Sequence, residues 1–202
     1  MLGRDMRRLI VFAILSVALA YVSRAFLKAP RTHGFYRFFA WDCILALFFL
    51  NFINFQQWFG SPFSMRQLIS WFLLIGCIFP AVYGVHLLRS HGRPDTRRPQ
   101  DAPLLWVEKT TQLVTTGAYK YIRHPLYSSL LLLAWGVFFK RPSWVGTSVV
   151  LGATAFLLAT AKVEEVENVH YFGATYQAYR QRTEVDPIVW TKNRSSLDGA
   201  AG

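Results

Sequence analysis

The chain reads as an all-α, polytopic integral membrane protein with about five transmembrane helices, ending in a helical hairpin and a tail. Three observations carry this: 53% of its 202 residues are hydrophobic and 16% aromatic, the mean hydropathy is +0.25, and long apolar runs hold few charges. Soluble chains of this length seldom have such a composition.

The runs cover residues 9–27, 38–55, 68–88, 126–139 and 144–161. A helix needs ~20 residues to cross ~30 Å of hydrocarbon. The first run follows a basic start, MLGRDMRRL, and contains Ala18-Leu19-Ala20, which also suits a cleaved leader; its continuation through Phe26 favours a retained span. In the second run Asp42, Asn51 and Asn54 suit either a substrate head group or hydrogen bonds between helices. The third run is the clearest span, and the loop 88–112 after it, rich in glycine, proline and charge, is long enough to cap a cavity. The fourth is short, so Lys140 and Arg141 at its end are expected to snorkel to the far surface.

The fourth and fifth runs, joined by the turn KRPS, form a hairpin. With a tight turn, residues whose numbers sum to roughly 283 lie at equal depth, so Tyr119 to Arg123 face Thr160 to Glu164. Before the hairpin stands TTGAYKYIRHPLY, which sets Arg123, His124, Tyr119, Tyr121 and Tyr127 where a helix enters the bilayer. Charge beside hydrocarbon is costly and points to a ligand. The plainer alternative is a set of interfacial anchors with an aromatic belt, and Pro125 as an ordinary first residue of a helix. Glu164 and Glu165 are poorly placed for a helix C-terminus unless the helix continues or they bind something. Acid and base thus converge at one membrane surface. Beyond them, 162–182 is an amphipathic extension with Val163, Val166, Val169, Phe172, Tyr176 and Tyr179 near one face, broken at Gly173 so that the tyrosines fold back.

Net charge is +11, but the basic residues sit in connectors, as in membrane proteins, and not in a nucleic-acid-binding face. The segments 28–37 and 89–123 with the C-terminal tail hold 15 lysines and arginines, against six at the N-terminus, 59–67 and the KRPS turn. The positive-inside rule makes the richer side cytosolic, and both polar clusters lie there. Cys43 and Cys77 lie inside apolar runs without a C-x-x-C pair, and the five histidines lack ligand spacing, so no metal is expected. No G-x-G-x-x-G follows a strand, which excludes a Rossmann-type nucleotide site.

Gly117, Tyr119, Arg123, His124, Pro125 and Tyr127, then Glu164 and Glu165, then Phe172, Gly173, Tyr176 and Tyr179 stand in the order G-x-Y-x-x-x-R-H-P-x-Y, hairpin, E-E, F-G-x-x-Y-x-x-Y. This set resembles the membrane-integral methyltransferases of the isoprenylcysteine carboxyl methyltransferase and phospholipid methyltransferase group, over about residues 104–190. Residues 1–100 are then the N-terminal spans of one membrane domain covering 1–202. The resemblance implies S-adenosyl-L-methionine as methyl donor. It also implies a cofactor site made of Gly117, Tyr119, Tyr121, Arg123, His124, Tyr127, Glu164, Glu165 and Tyr176, with Arg123 and Glu164 closest to the chemistry. The carboxylates suit the ammonium or ribose, Arg123 and His124 the carboxylate, and the tyrosines the adenine or sulfonium. The acceptor it implies is lipophilic, a prenylcysteine carboxylate, a phospholipid amine or a similar molecule arriving from the bilayer among the membrane lipids. Two departures concern the acceptor: Ser129 stands where a second glycine is frequent, and Glu184-Val185-Asp186-Pro187 replaces a basic-aromatic-proline ending. Sterol-reductase-like, NADPH-dependent membrane enzymes have a related C-terminal arrangement, but their R-D, K-Y-G and W pattern is replaced here by Glu164-Glu165, Phe172-Gly173 and Tyr176. A noncatalytic membrane scaffold is the third reading.

Overall fold

The computed structural model describes residues 2–52, 61–91 and 112–183, with Trp58 between the first two segments. The helices are α1 (Leu2–Val22), α2 (Arg24–Leu27), α3 (His33–Phe52), α4 (Met65–Gly76), α5 (Ile78–His91), α6 (Pro125–Lys140), α7 (Trp144–Phe172) and α8 (Ala174–Arg182), with a 3-10 turn at Gly117–Lys120. No strand occurs among the described residues. Within the described residues each apolar run of the sequence is helical, apart from single turn residues at Ser23 and Cys77. Asn54, most of the 88–112 loop and the segment from Glu184 onward lie outside the described residues.

Among the described residues, three helical stretches are long and apolar enough to cross a membrane: His33–Asn51, Met65–His91 and Trp144–Phe172. The stretches Leu9–Val22 and Pro125–Lys140 are apolar but shorter. α6, with 16 residues, covers about 24 Å at a rise of ~1.5 Å per residue. The third span has a joint at Cys77, because Pro80 lacks an N–H and its ring opposes the carbonyl four residues back.

α7 is the centre of the bundle. On one side it packs along α3, on the other it pairs with α6, while α4 and α5 cover the outer face of α6 and α1 lies against α3. Ala153, Leu157 and Ala161 of α7 and Ala40 and Leu47 of α3 are fully buried. The three alanines let helix backbones approach, and close packing drives helix association where the surroundings are themselves apolar. Phe39 of α3 stacks on Phe156 of α7 with centroids 5.3 Å apart. Ser70 of α4 donates to the carbonyl of Gly136 on α6 at 2.7 Å, and a Cβ on Gly136 would come within 2.9 Å of Leu74. Large apolar side chains such as Phe72, Ile75, Phe79 and Val82 face outward, as a lipid-facing surface requires. Asp42 accepts a hydrogen bond from Ser16 of α1 at 2.8 Å, which favours the helix-to-helix reading for this acid.

Lys140 corrects an expectation. It does not snorkel outward but is 1% exposed, with Nζ donating to Gln67 Oε1 at 3.0 Å and lying 3.4 Å from the ring centroid of Trp71. Gln67 returns a bond from Nε2 to the Lys140 carbonyl at 3.3 Å. A partner amide and an aromatic face from α4 hold the cation more closely than an outward stretch would. Arg141, the next residue, is exposed.

Candidate active site

Acid and cation pairs meet at the open end of the α6–α7 hairpin. Gly117 starts the approach with φ +60°, and a Cβ there would lie 2.8 Å from Leu87 and 2.9 Å from the Tyr83 hydroxyl. Glycine is required on both counts, and it seats the following turn directly on α5. That turn buries Tyr119. The chain then runs without helix through Arg123 and His124 until Pro125, whose missing N–H costs nothing at a helix start, opens α6.

Arg123 is 5% exposed. Its Nε donates to Glu165 Oε1 at 2.7 Å, and its Nη1 donates to the carbonyl and hydroxyl oxygens of Thr183 at 3.2 and 3.3 Å. One guanidinium thus pairs with α7 and satisfies carbonyl oxygen at the C-terminus of α8, where a cation also suits the helix dipole. Next to it, His124 places Nδ1 3.3 Å from Glu164 Oε2 and Nε2 3.8 Å from Glu165 Oε1, and stacks on Tyr127 with centroids 5.4 Å apart. Burial works against a charge on this imidazole, yet the Glu164 carboxylate, with Glu165, outweighs it and holds the pKa up at about 9. At neutral pH His124 is therefore a cation.

A further pair joins from the N-terminal half. Glu167 Oε2 lies 2.6 Å from His33 Nδ1, and Glu167 Oε1 accepts the backbone N–H of His33 at 2.9 Å. α7 ends at Gly173, whose φ of +59° reverses the chain and starts α8. α8 brings Tyr176 and Tyr179 back as buried side chains, and the Tyr179 hydroxyl donates to the Tyr119 carbonyl at 2.6 Å. Burial and then the Glu165 and Glu164 charges push the Tyr176 phenol above its usual range, so it remains a neutral donor.

These groups surround a cavity of about 90 Å³. Arg123, His124 and Glu164 supply charge, Tyr119, Tyr127, Tyr176 and Phe172 supply aromatic wall, and His33, Glu167 and Asn168 complete the α3–α7 side. Of the residues singled out in the sequence, Tyr119, Arg123, His124, Tyr127, Glu164 and Tyr176 all line it. Glu165 sits behind Arg123 as its ion partner. Gly117 and Tyr121 stand off: Gly117 faces α5, and Tyr121, 64% exposed, borders a neighbouring cleft with Lys120 and Arg182.

The pairing is displaced from the equal-depth count: Arg123 meets Glu165 and His124 meets Glu164, five residues further along α7. Extended residues before α6 rise about twice as far per residue as helical ones. In addition, helical side chains lean toward the N-terminus, so a later residue covers a given depth. The amphipathic face is also corrected, because Val166 is 70% exposed while Glu165 is buried. Ion pairs turn the acidic side of the extension inward. His33, Glu167 and Asn168 were missed by sequence reasoning. His33 and Glu167 lie 134 positions apart, beyond any local pattern, but Glu164, Glu167 and Asn168 share one helix face at spacings of three and four, which was legible.

Residues 104–175 match the model of the phospholipid methyltransferase family. Methanethiol S-methyltransferase 2 of Bradyrhizobium diazoefficiens is 38% identical over 66 residues, 32% of this chain. The chain spans only 24% of the length of that relative. No solved structure matches. The resemblance read from the motif is thus shown for the C-terminal region, which contains Arg123, His124, Glu164, Glu165 and Glu167.

Proposed function

From a C-terminal region of the membrane-methyltransferase group, we propose that this chain uses S-adenosyl-L-methionine to methylate a lipophilic small molecule at the cytosolic membrane surface. The observation that carries the reading is the convergence of Arg123, His124 and Glu164 with Tyr127 and Tyr176 on one cavity. This donor set fits the cofactor. A carboxylate beside a cationic imidazole offers partners to an amino acid moiety of both signs, and the aromatic walls suit a flat base and a sulfonium. The His124 Nε2 atom, buried and without a hydrogen-bond partner, is a donor that a ligand oxygen would satisfy.

When bound, S-adenosylmethionine supplies an electrophilic methyl group. The chain's contribution is to hold donor and acceptor in line and to exclude water. A cavity of about 90 Å³ is smaller than the roughly 300 Å³ at which ligand pockets begin. Admission therefore moves part of the wall, and α8 is the part this reading assigns, since it turns on Gly173 and is held at its other end by Arg123 and Tyr179. The length and apolar character of the spans support entry of the acceptor from the bilayer.

Calorimetry on purified protein in detergent tests the reading: S-adenosylmethionine and S-adenosylhomocysteine are both expected to bind. Loss of binding in the variant carrying Arg123→Ala and His124→Ala would support this cavity. Equal binding by that variant would move the site elsewhere, and no binding by the wild type would leave a membrane scaffold.

A further inference from the structure

We propose that the cleft beside the candidate active site, between α8 and the chain leading into α6, binds a phosphate group of net negative charge, such as an anionic lipid carries at the membrane surface. The site is separate from the cavity assigned to methyl transfer and does not depend on that reading.

The cleft has two walls. One is a single face of α8, where Thr175, Ala178, Tyr179, Arg182 and Thr183 follow one another at steps of one, three and four residues. The other is formed by Thr115, Lys120 and Tyr121 on the approach to α6. The Tyr179 hydroxyl donates to the Tyr119 carbonyl at 2.6 Å and ties the walls together at their base. Ala178, small and central on the α8 face, leaves the floor open. The enclosed space is about 760 Å³, within the range of roughly 300–1,000 Å³ that ligand pockets occupy.

The lining decides the ligand class. Among the described residues that line the cleft none is acidic, while Lys120 and Arg182 bring a cation to each wall. Thr183 is committed: its hydroxyl accepts from Arg123 at 3.3 Å and donates to the Tyr179 carbonyl at 2.9 Å, which fixes the inner end. Thr115 and Thr175 are exposed and add one hydroxyl donor to each wall. Two cations and two hydroxyls facing one hollow suit a tetrahedral anion with several acceptor oxygens, and arginine favours phosphate in particular. Arg182 alone would suit the C-terminus of a helix, and Lys120 alone a membrane surface. Neither role needs a hollow of this size, nor Thr175 in the first turn of α8, on the same face as Arg182 and two turns before it.

Depth points to the source. Tyr121 is 64% exposed at the rim, with Lys120 Nζ 5.7 Å from its ring centroid, and stands four residues before Pro125 opens α6. Tyrosine and lysine at the end of an apolar helix mark the level of lipid head groups. The cleft thus lies where a lipid phosphate would meet it from the side. It also explains why Tyr121 stands apart from the cavity: it belongs to this second site.

Calorimetry on the full chain in an uncharged maltoside detergent tests the assignment. The probes are dihexanoyl phosphatidate, glycerol 3-phosphate and dihexanoyl phosphatidylcholine, whose phosphate is balanced by its own cation. Phosphatidate is expected to bind and phosphatidylcholine to bind at least about tenfold more weakly. Lys120→Gln and Arg182→Gln should each weaken phosphatidate binding by roughly tenfold to a hundredfold, the range for a lost charge-assisted hydrogen bond. Thr175→Val keeps every charge and should weaken it about two- to tenfold. Lys162→Gln removes an exposed cation from the neighbouring part of α7, outside the cleft, and should leave it within about twofold. The substituted side chains are exposed, so melting should stay at wild-type values. Tighter binding of phosphatidate than of glycerol 3-phosphate supports the site with a lipid source, and equal binding supports it with a soluble phosphate. Binding of neither would overturn it. Equal losses in Lys120→Gln and Lys162→Gln with none in Thr175→Val would reduce it to general surface charge. Tyr179 lines both the cleft and the cavity, so competition decides whether they are distinct. Displacement of phosphatidate by S-adenosylhomocysteine would make the cleft part of the cofactor site and overturn the assignment.

Discussion

Arg123 and Glu165 close a buried ion pair at 2.7 Å across the mouth of the α6–α7 hairpin. The same guanidinium reaches Thr183 at the end of α8. Such a pair stabilises only while both partners and their remaining hydrogen bonds are present, since either charge alone would be stranded in a medium of low polarity.

Arg123→Lys is therefore not conservative. A lysine ammonium can meet Glu165 but cannot also span to Thr183 in the planar fork that arginine provides. Loss of one hydrogen bond to a charged group costs about 1.5–3 kcal/mol, and Arg123→Ala, which strands Glu165, about 3–5 kcal/mol. Thermal unfolding in detergent without ligand should rank wild type above Arg123→Lys above Arg123→Ala. Equal melting of wild type and the lysine variant would show that the contact to α8 contributes nothing.

The adjacent acids should separate in their effects. Glu164 lines the cavity, whereas Glu165 is committed to Arg123. Glu164→Gln keeps the size and removes the charge facing a bound ammonium, so cofactor affinity should drop by roughly tenfold to a hundredfold, the equivalent of about 1.5–3 kcal/mol. Glu165→Gln should lower the melting temperature and leave affinity in the folded fraction close to wild type. Titration of both variants, with parallel melting curves, checks this; the reverse pattern would exchange the two roles.

His124 makes a pH prediction. Its folded pKa of about 9 stands above the ordinary 6.5, because its carboxylate neighbours favour the charged form more than burial disfavours it. The folded state thus binds the proton more tightly than the unfolded chain. This contribution is fully present below pH 6.5 and is lost as pH rises through about 9. Melting temperatures of wild type and His124→Gln should differ most at the acidic end of a series that brackets this window and converge at the alkaline end. A gap that does not change with pH would show that His124 is neutral in the folded protein.

What the sequence disclosed follows from what is local. Apolar runs of near-spanning length give helices directly, and Pro125 and Gly173 mark a start and an end because their backbone requirements do not depend on neighbours. The convergence of Arg123 and His124 with Glu164 and Glu165 was also legible, because a hairpin converts sequence separation into depth. His33 was not: its partner lies on α7, and the packing of α3 against α7 involves Ala40, Leu157 and Ala161, apolar residues whose pattern names no partner. Lys140 misled for a related reason. A lysine at a helix end suits a membrane surface in general, and only the docking of α4 brings Gln67 and Trp71 to it.

Orientation gives the last prediction. The cavity opens at the end of the hairpin that carries Lys120, Arg123, Arg180 and Arg182, and the KRPS turn marks the other end, so the positive-inside rule predicts that the cavity faces the cytosol. Cytosolic exposure is what a donor made in the cytosol requires. Lys120 and Arg141 are both exposed and flank α6 at its two ends, which makes them suitable reporters. In a background with Cys43 and Cys77 changed to alanine, Lys120→Cys should resist a membrane-impermeant maleimide in intact cells and react after the membrane is opened. Arg141→Cys should react in intact cells. The opposite labelling would turn the cavity away from the cytosolic cofactor pool, and methyl transfer from that pool would then be ruled out whatever the purified protein binds.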